Sequence, residues 1–311
     1  MRISHDEVCW ILEARFQPRE RAIMQVHTVP LGSGSAHWYD VGGSGPLLHF
    51  YHANGFPFRA YDEFTAELAT DFRVIGLAHR ATWKNVGLPS SDTGWMAYAD
   101  DLIAFLEASG RHPVIGVGHS LGATATLFAA SKRPDLFGAL VLIEPILFSN
   151  GFSLAISTIP LKARRWFPIV RKTLERPDRW RSADEFVEFH RGKRLFSRFT
   201  ETSLENYGRH GLAPDRCDTL RLAFPKAWEA HVFSTPPHAW RWLKALTVPV
   251  LGVRAELSDF VPKASWDKWR RLRGQDAFAV LPGIGHMAPL EAPRKTARLA
   301  TDWLRSRQAG H

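Results

Sequence analysis

The fold of this chain is decided by the stretch Gly116-Val117-Gly118-His119-Ser120-Leu121-Gly122, which holds a serine between glycines. A short apolar run, residues 113–117, precedes the serine, and a helix-forming run, residues 123–130, follows it. The pattern predicts a sharp turn from a strand into a helix, which needs small residues two positions before and after the serine. Because such a turn places the hydroxyl at a helix N-terminus, where N–H groups favour negative charge, Ser120 is our candidate nucleophile.

Composition indicates a globular protein with a sizeable core, since 45% of its 311 residues are hydrophobic and 23% are charged. The two cysteines, Cys9 and Cys217, cannot form a disulfide framework, and no Cys/His cluster has zinc-ligand spacing. We therefore expect no metal and no cofactor. The N-terminus lacks a signal-peptide pattern, and no run approaches the roughly 18 apolar residues of a membrane helix. These features predict a cytoplasmic protein.

The positive charge is concentrated in one segment. Residues 148–244 hold 18 Lys and Arg against 10 Asp and Glu, a net charge of +8, whereas the remaining residues hold 22 against 21. A solvated face, attraction of an anionic substrate and peripheral contact with a membrane surface all fit such an excess. No nucleic-acid motif accompanies it, so we expect a small-molecule substrate and no nucleic acid. The sequence gives no indication of the oligomeric state.

Strand-like and helical patterns alternate over two separated stretches of the chain. This alternation predicts an α/β fold, with a mostly parallel sheet that is covered by helices on both faces. The predicted core comprises residues 26–147 and 246–311, and residues 1–25 form an N-terminal arm. Strands are predicted at Val26–Leu31, His37–Val41, Leu47–Tyr51, Arg73–Leu77, Val114–Val117, Ala139–Ile143, Val248–Val253 and Ala277–Leu281.

Residues 148–245 interrupt this alternation and are too long for an ordinary loop. Their pattern is helical, so we predict a helical lid, or cap, inserted into the core. Its aromatic residues either line an apolar acyl pocket or pack the lid's own core. These residues are Trp166, Phe167, Trp180, Phe186, Phe189, Trp228, Phe233, Trp240 and Trp242.

A serine nucleophile needs a base and a carboxylate that orients the base. We look for both at strand ends on the edge of the sheet that carries Ser120. His286 follows the last predicted strand in a glycine-marked loop, and it is the candidate base. Asp259 is the preferred acid, with Glu144 and Glu256 as alternatives, because all three follow predicted strands.

The serine also needs N–H donors for the oxyanion of the intermediate. One donor is predicted to be Leu121, the residue after the nucleophile. The other is expected in the loop His52-Ala53-Asn54-Gly55-Phe56-Pro57, where Phe56 is preferred. Gly55 lets the backbone approach closely, and Asn54 either braces the loop or reaches the substrate.

Four segments in this order resemble the α/β-hydrolase fold superfamily, in its serine-nucleophile, lidded, esterase- or lipase-like branch. They are the loop at residues 52–57, the serine turn, the strand end with Ser258-Asp259, and the loop Gly283-Ile284-Gly285-His286-Met287. The chain departs from the family where an Arg-Gly pair commonly follows the fourth strand, since it has His79 and Arg80 there. These two residues, like His119, either support loops or lie at the mouth of the site.

The resemblance implies a serine hydrolase that cleaves a carboxylic ester-like bond through an acyl-enzyme, on a substrate with an apolar acyl portion. The aspartate nucleophile of related dehalogenases and epoxide hydrolases is replaced here by Ser120. A lactonase, an amidase, a C–C bond hydrolase or a cofactor-free perhydrolase would use the same triad. Lyase-like chemistry at this site and a non-catalytic ligand-binding protein on the same scaffold are further alternatives.

Overall fold

The computed structural model describes residues 24–32, 34–216 and 218–308, so almost all of the predicted N-terminal arm lies outside the described residues. The strands are β1 (Gln25–Leu31), β2 (Gly34–Gly42), β3 (Leu47–Tyr51), β4 (Arg73–Leu77), β5 (Val114–His119), β6 (Phe137–Ile143), β7 (Arg179–Trp180), β8 (Leu212–Pro214), β9 (Leu220–Leu222), β10 (Val250–Ala255) and β11 (Ala277–Leu281). The helices are α1 (Asp62–Leu68), α2 (Trp95–Ser109), α3 (Leu121–Lys132), α4 (Asn150–Ser157), α5 (Leu161–Arg164), α6 (Pro168–Glu175), α7 (Ala183–Arg191), α8 (Glu201–His210), α9 (Lys226–Ser234), α10 (Trp240–Ala245), α11 (Lys263–Leu272), α12 (Ala288–Glu291) and α13 (Pro293–Gln308).

Among the described residues, eight strands form one sheet in the order β1-β2-β4-β3-β5-β6-β10-β11. The β1–β2 and β2–β4 pairs are antiparallel, and the other neighbours are parallel. The sheet is therefore mostly parallel, as predicted. Because the carboxyl ends of β3, β5, β6, β10 and β11 meet at one edge, the loops that follow these strands are brought together there.

Helices cover both faces of the sheet. The apolar sides of α2, α3, α10 and α11 pack in one core cluster, and those of α1 and α13 pack in a second. Helix α2 shows why one face of such a helix packs on the sheet. Its residues Tyr98, Leu102 and Phe105 recur at helical spacing, and all three are buried. The helix ends at Ser109 and is followed by Gly110, whose φ of 59° is the left-handed conformation typical of the residue after a helix. No described helix has both the length and the hydropathy required to cross a bilayer.

Residues 148–245, hereafter the insertion, lie between β6 and β10 and contain α4 to α10. They also contain a small sheet in the order β7-β9-β8. The expectation of a purely helical segment was therefore wrong for these strands, which are only two or three residues long and too short for an alternating pattern. The insertion packs on the core through Tyr207, whose ring centroid lies 4.7 Å from that of Phe56.

The turn from β5 into α3 leaves no space for side chains on its glycines. A Cβ on Gly122 would lie 2.1 Å from the carbonyl oxygen of Tyr51, and one on Gly118 would lie 2.5 Å from Cα of Ala123. These contacts involve backbone atoms, which cannot move away as a flexible side chain can. Gly122 is therefore required by the close approach of the end of β3 to the first turn of α3, and Gly118 by the close approach of that turn to β5.

We predict that Gly122→Ala destabilises the protein by about 1–3 kcal/mol, because the new methyl group overlaps the backbone. The measurement is thermal unfolding followed by circular dichroism. Gly138→Ala is the matched control, since a Cβ at Gly138 has no neighbour within 4 Å. Equal unfolding temperatures for the two variants would contradict this account of the turn.

Candidate active site

Ser120 lies at the turn between β5 and α3, with φ of 54° and ψ of −114°. Its Oγ is 3.0 Å from Nε2 of His286, which follows β11. Both residues are buried, with 7% and 8% of their surface exposed. The structure thus brings the candidate nucleophile and the candidate base into hydrogen-bond contact across 166 positions of sequence.

The carboxylate that contacts this histidine belongs to Glu144, which follows β6. Its Oε2 lies 2.8 Å from Nδ1 of His286 and also accepts the hydroxyl hydrogen of Ser258. Its Oε1 accepts the N–H of Ala255 at 2.6 Å. Since a carboxylate only accepts hydrogen bonds, Nδ1 carries the proton and Nε2 is left to accept the hydroxyl hydrogen of Ser120.

Asp259, the preferred acid of the sequence analysis, is not in contact with the histidine. Its side chain is 66% exposed and pairs with Arg194 at the surface. The preceding residue, Ser258, reaches Glu144 instead, and its hydroxyl oxygen also accepts the N–H of Val261 at 3.1 Å. The structure therefore corrects the choice of acid, since the loop after β10 directs a serine toward the site and an aspartate toward solvent.

The third candidate acid, Glu256, supports the loop that carries the histidine. Its Oε2 accepts the N–H of Gly283 at 2.8 Å. Next to it, the N–H of Leu257 donates to the carbonyl of Ile284 at 2.9 Å. These two bonds tie the loop after β10 to the loop after β11 and so hold His286 in place.

The two predicted oxyanion donors lie at the site, and neither the N–H of Leu121 nor that of Phe56 has a protein acceptor among the described residues. Asn54 braces the second loop, because its Nδ2 donates to the carbonyl of Glu229 at 3.1 Å. Gly55 has a φ of +81°, and a Cβ there would lie 2.7 Å from the carboxyl carbon of Glu229. The loop after β3 is therefore held against α9 of the insertion.

His119 connects the two loops that flank the serine. Its Nε2 lies 2.8 Å from the carbonyl oxygen of His286, so this nitrogen donates. Its Nδ1 then accepts the hydroxyl hydrogen of Tyr61 at 2.9 Å, and the same hydroxyl oxygen accepts the N–H of Ala53 at 3.3 Å. Burial lowers the pKa of His119 well below its usual range, so the ring is neutral, as this arrangement of donors requires.

His79 and Arg80 support the loop after β4. Nε2 of His79 donates to the carbonyl of His52 at 2.7 Å, and its backbone N–H donates to Nε2 of His52 at 3.1 Å. Arg80 forms a two-pronged ion pair with Asp101 on α2, with contacts of 2.6 and 2.7 Å. Of the two roles that the sequence left open for these residues, their contacts fit loop support.

A cavity of about 380 Å³ adjoins Ser120 and His286. Asn54 and Glu229 supply its other polar side chains, and among the described residues no lysine or arginine lines it. The remaining lining is apolar, and most of it comes from the insertion. The apolar insertion residues are Phe148, Phe152, Ile156, Phe167, Pro168, Ile169, Leu195, Val232, Phe233 and Pro236.

The aromatic residues of the insertion divide between the cavity and the protein core. Phe167 and Phe233 line the cavity. Trp166 is 63% exposed. The others pack in core clusters or against them, and the buried members of this group are Trp180, Phe186, Trp228 and Trp240. Helical spacing in the sequence could not distinguish residues that line the cavity from residues that pack in the core, because both positions require an apolar helix face.

Arg176 forms an ion pair with Glu229, the one acidic side chain that lines the cavity in the part of the chain that the structure describes. Its Nη1 lies 3.0 Å from Oε1 of Glu229, and its Nη2 contacts Oε2. Burial raises the pKa of Glu229, and Arg176 opposes this shift. Sequence reasoning missed this pair, as it missed Tyr61 and Ser258. Of these residues, only Ser258 could have been found from the sequence, because it immediately precedes Asp259, the acid that we preferred there.

Comparisons with known proteins give a consistent result. A model of the alpha/beta hydrolase family matches residues 31–299. The chain is 27% identical over 281 residues to the 2-(acetamidomethylene)succinate hydrolase of Mesorhizobium japonicum, across 84% of this chain and 89% of that protein. It is 29% identical over 153 residues to a type I acyl-CoA thioesterase of Penicillium brevicompactum. That second match covers 45% of this chain and only 34% of the thioesterase.

Solved structures show the same architecture. The crystal structure of E-2-(acetamidomethylene)succinate hydrolase superposes with a TM-score of 0.76 at 23% identity, over 91% of this chain and 99% of that one. A peroxisomal α/β-hydrolase of Saccharomyces cerevisiae superposes with a TM-score of 0.75 at 17% identity, over 94% and 91% of the two chains. At these identities the likeness shows the fold alone.

Proposed function

This chain belongs to the alpha/beta hydrolase family and is a hydrolase, and on that premise we propose that it cleaves a carboxylic ester-like bond through an acyl-enzyme. The observation that carries the proposal is the unbroken contact from Ser120 Oγ to His286 and from His286 to Glu144, at the wall of an apolar cavity. The proposed triad is Ser-His-Glu, with its acid after β6.

In the proposed mechanism, Nε2 of His286 takes the hydroxyl proton while Oγ of Ser120 attacks the substrate carbonyl carbon. Glu144 stabilises the imidazolium that forms, and the N–H groups of Leu121 and Phe56 bind the oxyanion. The imidazolium then protonates the leaving alcohol oxygen as the ester C–O bond breaks. Water, deprotonated by the same histidine, attacks the acyl-enzyme and releases the carboxylic acid and the free serine.

The lining of the cavity supports a substrate with an apolar acyl portion. The Mesorhizobium relative is named for a succinate derivative, which carries two carboxylates. Anionic groups of that kind are usually bound by arginine or lysine, and none lines this cavity among the described residues. We therefore propose that residues 148–245 act as a cap that selects apolar acyl groups.

We predict that a fluorophosphonate probe labels the wild-type protein and does not label Ser120→Ala, because the probe forms a covalent bond with an activated serine. Labelling is measured by intact-protein mass spectrometry. Ser258→Ala serves as the control at a second serine near the site and should still be labelled. Equal labelling of wild type and Ser120→Ala would refute the assignment of the nucleophile.

The acid is tested by two substitutions that each remove one charge. We predict that Glu144→Gln lowers kcat about 10³–10⁴-fold, because the amide can no longer orient and stabilise the protonated histidine. Asp259→Asn is the matched control and should change kcat less than about twofold, since Asp259 contacts only a surface arginine. Steady-state rates on a soluble ester give both values, and the reverse ranking would return the acid to the loop after β10.

His119 is proposed as a positioning residue that acts through the carbonyl of His286. We predict that His119→Phe lowers kcat about 10²-fold with little change in KM, because the base shifts while the cavity does not. His119→Gln keeps an N–H donor at this position and should recover most of the rate. If the two variants lose activity equally, or if KM changes instead of kcat, the positioning role is wrong.

A further inference from the structure

Residues 149–175, hereafter the cap surface, present an unusual number of apolar side chains to solvent. Among the described residues, eleven large hydrophobic side chains are exposed, and five of these lie within the cap surface. They include Leu154, which is 61% exposed, and Trp166, which is 63% exposed. Apolar residues scattered singly over a protein surface need no explanation, whereas a concentration of them marks an interaction site.

The cap surface is also basic. Residues 149–175 contain five Lys and Arg and a single acid, Glu175, a net charge of +4. Lys162, Arg165 and Lys172 are exposed and have no ion-pair partner among the described residues. The guanidinium of Arg165 lies 4.8 Å from the ring centroid of Trp166, so a cation and an exposed aromatic ring are adjacent. Aromatic and aliphatic side chains interspersed with Lys and Arg are typical of segments that lie in the interface of an anionic bilayer.

Contacts within the insertion hold these side chains on one structural unit. Arg164 joins α5 to α4 and α9, because it donates to the carbonyls of Ser157, Ile159 and Ser234. Ser153 anchors α4 through a 2.9 Å hydrogen bond to the carbonyl of Pro237. The exposed apolar residues of α4 and of the segment between α5 and α6 therefore belong to one hydrogen-bonded unit.

The same surface forms the rim of the cavity that contains the serine. Phe152 and Ile169 line this cavity and are also 48% and 39% exposed to solvent. Apolar side chains of the cap surface therefore extend from the exterior into the cavity that contains Ser120. An acyl chain that leaves a lipid phase at this rim would meet mostly apolar side chains before it reaches the nucleophile.

We propose that the cap surface docks on an anionic phospholipid bilayer, with Trp166 and Leu154 in the interface and Lys162 and Arg165 on lipid phosphates. Charge favours this occupant over a second copy of the chain, because two copies would bring like charges together. The binding is measured without turnover, so it is tested independently of the proposed hydrolase activity.

The experiment is flotation of the full-length protein with vesicles of phosphatidylcholine alone or mixed with phosphatidylglycerol. We expect binding to the anionic vesicles, little binding to the neutral ones, and a steep decrease in binding with added salt. Leu154→Ser/Trp166→Ser and Lys162→Glu/Arg165→Glu should each weaken the partition coefficient at least about tenfold. Circular dichroism and thermal unfolding show that the variants remain folded.

Matched controls place the same changes elsewhere on exposed surface. Leu88→Ser/Leu272→Ser and Arg270→Glu/Arg271→Glu should leave the partition coefficient within about twofold of wild type. Absence of wild-type binding to anionic vesicles, or equal effects of control and cap-surface variants, would overturn the proposal. Light scattering that shows a wild-type dimer and monomeric cap-surface variants would assign the surface to a second copy of this chain instead.

Discussion

The strained turn that carries Ser120 determines how the loops around the site are placed. Its φ of 54° is sustained because the serine N–H donates to the carbonyl of Ile143 on β6 and the N–H of Gly122 donates to the carbonyl of His52 after β3. Neighbouring strands on both sides thus hold the turn, and the backbone contact at Gly122 excludes any side chain. Since those bonds also fix where the loops after β3 and β6 begin, the positions of the loop at residues 52–57 and of Glu144 follow from this one turn.

The acid shows how the sheet sets the chemistry. Glu144 stands at the end of β6, the direct neighbour of β5, and its own backbone is in the left-handed region with φ of 53°. Its N–H donates to the carbonyl of Val253 on β10, so the residue is held between the two strands. The carboxylate is fully buried, and three donors compensate for its burial: Ala255, Ser258 and His286. In the proposed mechanism, the acid therefore contacts His286 from the end of β6, the strand next to the one that leads to Ser120.

Much of the fold could be predicted from the sequence, because buried strands and amphipathic helices leave periodic patterns. The bounds of β3, β4 and β11 were predicted to the residue. The acid could not be chosen this way, since Glu144 and Asp259 both follow strands of the same edge, and neighbouring strands are only about 4.8 Å apart. Which one faces the histidine depends on the direction of a loop, and the ion pair of Asp259 with Arg194 joins residues 65 positions apart.

Proton NMR of the imidazole N–H signals shows directly whether Glu144 holds the proton on Nδ1 of His286. We expect a strongly deshielded Nδ1 proton in the wild type, because the hydrogen bond to a buried carboxylate is charge-assisted. This signal should be retained in Asp259→Asn and lost in Glu144→Gln. A signal that survives in Glu144→Gln and disappears in Asp259→Asn would show that Glu144 is not the partner of Nδ1.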